Sequence, residues 1–113
     1  MDLQVANATS FIAQKLLIQE DRSAAKRAQD LLYIHDALEL FGAQLPMLKA
    51  LWEEKIRPSL PAKTGRRVVE LSRESFSSVT DVIRNAARIP QDRALSPERL
   101  QAACQLALEQ VLT

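Results

Sequence analysis

Four residues in the first third of the chain have the types and spacing to face an anion: Lys15, Arg22, Arg27 and Asp30. A triphosphate would suit such a cluster, because spread negative charge rewards several cations at once. Arg27 projects near the middle of an apolar helical stripe, between Ala24 and Leu31. A guanidinium there cannot shed its charge, so it needs a partner, a path to water or an anion. Asp30 lies three residues on, within helical pairing distance of Arg27, and Lys26 lies one turn before the same aspartate. Two readings follow. In one, Lys15, Arg22 and Arg27 form an anion-facing cluster in which Asp30 fixes one cation. In the other, the charges make a structural ion pair between packed helices and the rest are solvated.

Other candidate groups point to less. His35 falls beside the same stripe and is followed by Asp36, a pairing that suggests acid–base work or a metal. Adjacent helical residues diverge by about 100°, so Asp36 is expected to orient His35 poorly, and one histidine gives no metal cluster. Tyr33 and Trp52 are candidate stacking groups, but no interleaving of basic and aromatic residues accompanies them, which argues against single-strand nucleic-acid binding. Cys104 shares a helical face with Leu100, Ala107 and Val111 and reads as a buried, inert thiol.

Composition bounds the class. A chain of 113 residues with an ordinary apolar fraction is expected to form one domain, residues 1–113, around one core. The net charge of +1 exerts no long-range pull on nucleic acid, and no basic recognition helix is evident. The single cysteine excludes an internal disulfide and fits a reducing cytoplasm. The start, "MDLQVANATSFIAQKLL", lacks a basic n-region and a long apolar core, so it does not read as a signal peptide. No run approaches the ~20 apolar residues that cross a bilayer.

With two glycines and no sustained alternation, the expected fold is all-α, a bundle of about five helices. The first should run from about Ala8 to Glu20, capped by Asn7 or Thr9. The second should run from Ser23 to Phe41 and stop at Gly42 in a left-handed cap. The third is expected from Pro46 to just before Pro58, with "RPSLPAKTG" as a loop or hinge. The fourth should span Gly65 to Arg88, burying Val69, Ser72, Phe76, Val79, Ile83 and Ala86. Its opposite face, including Glu70, Arg73, Glu74, Asp81, Arg84 and Arg88, should be solvated. Ser96-Pro97-Glu98 opens the last helix with a cap, a first-turn proline and an acid at the positive end of the dipole. The second helix is apolar around much of its circumference and is therefore expected to be central.

The run "VANATSFIAQKLLIQEDRSAAKRAQDLLYIHDALELF", Val5 to Phe41, resembles the helical C-terminal portion of a bacterial family with a minimal nucleotidyltransferase fold. The resemblance continues less specifically through "LPMLKALWEEKIRPSL" and "ARIPQDRALSPERLQAAC". Its Lys…Arg…Asp order is also similar, more distantly, to a helical motif of nucleotidyltransferases from abortive-infection systems. In such proteins an N-terminal α/β domain supplies a Gly-Ser turn and paired aspartates that hold nucleotide and a divalent metal such as Mg2+. The helical part closes over the site and contributes a lysine. The resemblance implies that Lys15 faces nucleotide, that Asp30 is the motif aspartate and that Arg22 or Arg27 is the intervening base.

The chain departs from that pattern in having no Gly-Ser dipeptide and no Asp-x-Asp. The carboxylates that nucleotidyl transfer needs around its metal are therefore missing, and this chain alone should not be catalytic. The expectation is a helical accessory domain working with a nucleotidyltransferase domain in cis or in trans, either cut from a longer protein or kept by a short gene. The alternative is a stand-alone helical interaction module able to form a homodimer, using Leu32 and Leu40, or Leu17 and Ile18.

Overall fold

The computed structural model describes residues 5–112, and they form six helical rods with no strand among them. The all-α expectation holds, with one rod more than expected. Helix α1 spans Val5–Leu17. Ala8, Ile12 and Leu16, at four-residue spacing, are fully buried on one side of it. The helix is already under way at Val5, so neither Asn7 nor Thr9 is its cap. Thr9 is instead a buried residue whose hydroxyl donates to the Leu48 carbonyl at 3.2 Å. The C-terminal end also falls earlier than Glu20: Gln19–Asp21 tighten into a 3-10 turn.

Helix α2 spans Ala24–Leu40, with the Ser23 hydroxyl accepting from the Lys26 amide. It packs against α1 and against two later helices, so its broad apolar girth is covered as expected. The exceptions are Ala24, where its stripe starts, and Leu40, which are both exposed. Gly42 does not take the left-handed cap, because no described residue has positive φ. Phe41 closes the helix with its amide on the Ala37 carbonyl, and Gly42–Gln44 make a single 3-10 turn. The chain thus continues in a right-handed sense.

Helix α3 corrects the expected stop before Pro58. It runs as an α-helix over Leu45–Leu51, widens into a π turn at Trp52–Ile56, and continues through Arg57–Ser59. The Arg57 amide reaches back five residues to the Trp52 carbonyl. A π turn is one way for a helix to take up an internal proline, which brings no N–H and crowds the carbonyl four residues before it. Trp52 is fully buried in this turn. The expected "RPSLPAKTG" loop shrinks to Leu60 and Pro61, both extended.

Helix α4 spans Ala62–Phe76 and α5 spans Asp81–Arg88. The single helix expected from Gly65 to Arg88 is therefore broken at Ser77–Thr80. Serine, valine and threonine are weak helix formers, and Thr80 makes a better cap than an interior residue. Its hydroxyl accepts from the Ile83 amide at 3.2 Å. The break re-aims the apolar face: Val68 and Leu71 are buried, whereas Val69 and Val79 are only half-buried. The solvated face is as expected, with Arg84 donating to Asp81 at 2.8 Å. Helix α6 spans Pro97–Val111, capped by Ser96 with Pro97 in its first turn. It buries Leu100, Cys104, Ala107 and Val111 against α2, α3, α4 and α5.

Candidate functional site

Three of the four candidate residues meet. Lys15 sits in the last turn of α1, Arg22 in the link after the 3-10 turn, and Asp30 one and a half turns into α2. Packing α1 on α2 brings them together. The Asp30 side chain is 0% exposed. It accepts from Lys15 Nζ at 3.1 Å, from Arg22 Nε at 3.0 Å and from Arg22 Nη2 at 3.3 Å. Arg22 therefore grips both carboxylate oxygens side-on, while Lys15 shares Oδ1. The cations are 21% and 28% exposed, so each keeps a way to water. Lys15 Nζ also lies 5.6 Å from the Phe11 ring centre and 5.5 Å from that of Tyr33, which limits its freedom further.

Arg27 does something else. Its Nε donates to the Gln19 carbonyl at 2.7 Å and its Nη2 to the Glu20 carbonyl at 3.1 Å. The Arg27–Asp30 pair expected from helical spacing does not form, nor does Lys26 reach Asp30. The carboxylate is turned inward toward α1, and the guanidinium turns back along α2 to tie down the 3-10 turn. Arg27 is thus a brace for the segment that carries Arg22.

Charge at this place is simple to count. One carboxylate faces two cations, which leaves one net positive charge at a partly open edge. The arrangement can steady an anion at its outer side. It is not arranged to hold a divalent metal, because both Asp30 oxygens already accept from cations and no second carboxylate joins them among the described residues.

A second charged group was misread from sequence. His35 Nδ1 and Asp36 Oδ1 are 3.0 Å apart, so Asp36 does reach its neighbour. Asp36 is steered there by Arg93, whose Nη2 donates to both of its oxygens at 2.7 and 2.9 Å. That hydrogen bond raises the Arg93 guanidinium further above its already high range. Glu39 stands 3.4 Å from His35 Nε2. His35, Asp36 and Glu39 offer ligand atoms within 4.8 Å of one another. With Asp36 bound by Arg93, they read as a charge network anchoring the loop after α5 rather than as a metal centre. Nothing local to His35 or Asp36 signals an arginine that far along the chain.

Cys104 is fully buried, as expected. Burial pushes its thiol up to about 12, and the negative charges of Glu39 and Asp36 add to the shift. Tyr33 is exposed and stacks with Lys15, whereas Trp52 belongs to the core. Among the described residues no helix is long and apolar enough to cross a membrane. No family model, curated protein or solved structure matches the chain.

Proposed function

We propose that this chain is the helical accessory part of a nucleotidyltransferase-like protein and forms one wall of a nucleotide site. Lys15 and Arg22 face the nucleotide phosphates. Asp30 orients both cations, and Arg27 braces the turn between α1 and α2. The divalent metal and the catalytic carboxylates belong to an α/β domain outside these residues, joined in cis or supplied in trans. The observation that supports this reading is the shared grip of Lys15 and Arg22 on one buried carboxylate, with both cations still open to solvent. Fixed cations reward a polyphosphate more than mobile ones, because their ordering cost has already been met by the fold.

The test joins the chain to such a catalytic domain and follows nucleotide transfer. Lys15→Gln lowers transfer, while the helical content measured by circular dichroism is kept. At the Lys15–Arg22 edge the isolated chain binds nucleotide weakly or not at all, since it supplies only one wall there.

A second reading, an interaction module that pairs with another copy, draws on a different face. Leu40 and Leu106 are 66% and 63% exposed. Leu106 borders an apolar cleft of about 270 Å3 that Leu38, Leu45, Ala103 and Ala107 also line. Leu32 is buried and takes no part. Light scattering after size exclusion separates the two readings: a concentration-independent monomer removes the second.

A further inference from the structure

Five arginine side chains, Arg57, Arg66, Arg73, Arg88 and Arg99, have no hydrogen-bond or salt-bridge partner among the described residues, and three of them are gathered in one place. Arg22, Arg27, Arg67, Arg84 and Arg93 hold carboxylates or carbonyls. Arg57, Arg66 and Arg73 hold none among the described residues, yet all three line one surface cleft of about 290 Å3. Arg66 and Arg73 are two turns apart on the same face of α4, about 10 Å along its axis. Arg57 arrives from the end of α3.

Arg57 packs against Gly65 in the first turn of α4. A side-chain carbon at Gly65 would lie 3.4 Å from Arg57 Cγ and 3.8 Å from its Nε. The arginine is therefore laid across the glycine, and the buried Gly65 gives it a close seat on α4. The remaining lining favours an anion. Glu70 is the one acid among the lining residues, and its Oε2 accepts from Arg67 at 3.2 Å, beside the cleft. Val69 and Leu112 supply the apolar part of the lining.

We propose that the Arg57–Arg66–Arg73 cleft binds the diphosphate group of a ligand. Each guanidinium offers a forked pair of N–H donors, and three forks match the many oxygens of a diphosphate. A carboxylate, with two oxygens, satisfies only one fork. The volume lies at the lower end of ligand pockets, enough for the diphosphate and a small part of what carries it. The carrier is either a soluble molecule such as a nucleoside diphosphate or a polyprenyl lipid at a membrane surface. The cleft shares no residue with the Lys15–Arg22–Asp30 cluster, so it stands or falls separately from the proposed function.

The test is calorimetry on the whole chain at low salt without divalent cations, using sodium diphosphate and adenosine diphosphate. A parallel arm measures sedimentation with phosphatidylcholine vesicles, plain or doped with a polyprenyl diphosphate. Saturable one-to-one binding is expected in one arm, and the arm that responds identifies the carrier. R66Q/R73Q weakens it by about tenfold or more, as the loss of two charge-assisted contacts requires. Both positions are exposed, so the variant keeps its fold, which circular dichroism verifies. R88Q/R99Q, which removes two arginines outside the cleft, leaves binding within about twofold, a margin well under one charge-assisted hydrogen bond. No saturable binding in either arm overturns the proposal, as does an equal loss in the two double variants.

Discussion

The Arg22 guanidinium lies side-on to the Asp30 carboxylate, with Nε 3.0 Å from Oδ2 and Nη2 3.3 Å from Oδ1. The aspartate is fully enclosed and the arginine is not. This asymmetry fixes what each partner contributes. Asp30 is held by the fold and cannot be left without cations, whereas Arg22 retains an outer side that faces water.

Asp30→Ala should destabilise the protein by about 3 kcal/mol, the low end for breaking a buried pair, because Lys15 and Arg22 can turn to solvent. Urea unfolding measures it. Lys15→Gln should cost clearly less, since Arg22 still satisfies both carboxylate oxygens. Equal losses in the two variants would mean that Lys15, not Arg22, carries the pairing.

Arg27→Ala should act on the backbone rather than on the charge cluster. It removes the donors to the Gln19 and Glu20 carbonyls. A loss of about 1–2 kcal/mol follows from hydrogen bonds of this kind at a part-exposed site. Amide hydrogen exchange should accelerate in residues 19–22 before it changes in the middle of α2. Uniform acceleration along α2 would show that Arg27 does more than hold the turn.

Thr9→Val keeps shape and removes the hydroxyl that the Leu48 carbonyl accepts from. The expected cost is about 1 kcal/mol, the loss of one buried hydrogen bond, because the Leu48 carbonyl still accepts from the Trp52 amide. Thr9→Ser should recover part of it. If the valine variant is as stable as the parent, the α1–α3 contact rests on apolar packing alone.

Cys104 gives a pH dependence with a definite sign. Its folded thiol titrates at about 12, above the ordinary range near 8.5, so the folded state prefers the neutral form. The stability it contributes is fully present below pH ~8.5 and is lost as pH rises toward 12. Cys104→Ala should flatten the alkaline part of a stability-against-pH curve relative to the parent. In the folded parent, thiol reagents at pH 8 should modify Cys104 only at the rate of unfolding.

Local physics was legible in the sequence, and the arrangements that escaped it are mostly non-local. The Ser96 cap, the buried face of α6 and the girth of α2 follow from periodicity and capping within a few residues. Pro58 misled because a proline is read as a stop only for four-residue hydrogen bonding, and the π turn at Trp52–Ile56 changes that spacing. Ser77–Thr80 falls inside one long expected helix because the apolar period survives across the break. The candidate cluster was half legible: Lys15, Arg22 and Asp30 do meet, but spacing assigned Asp30 to Arg27. Side chains on one helix can reach one another, yet a neighbouring helix end decides which of them do. The Arg93–Asp36 pair and the gathering of Arg57 with Arg66 and Arg73 depend on contacts between helices and leave no local trace.

The most direct test of the central claim is the rate of nucleotide transfer by the chain joined to the α/β domain proposed above, compared between the parent and Lys15→Gln at matched helical content. The account predicts a fall of about tenfold or more, the effect of removing one charge-assisted phosphate contact. Turnover equal to the parent's would contradict it and would leave the Lys15–Asp30–Arg22 group as an ion cluster that only fastens α1 to α2.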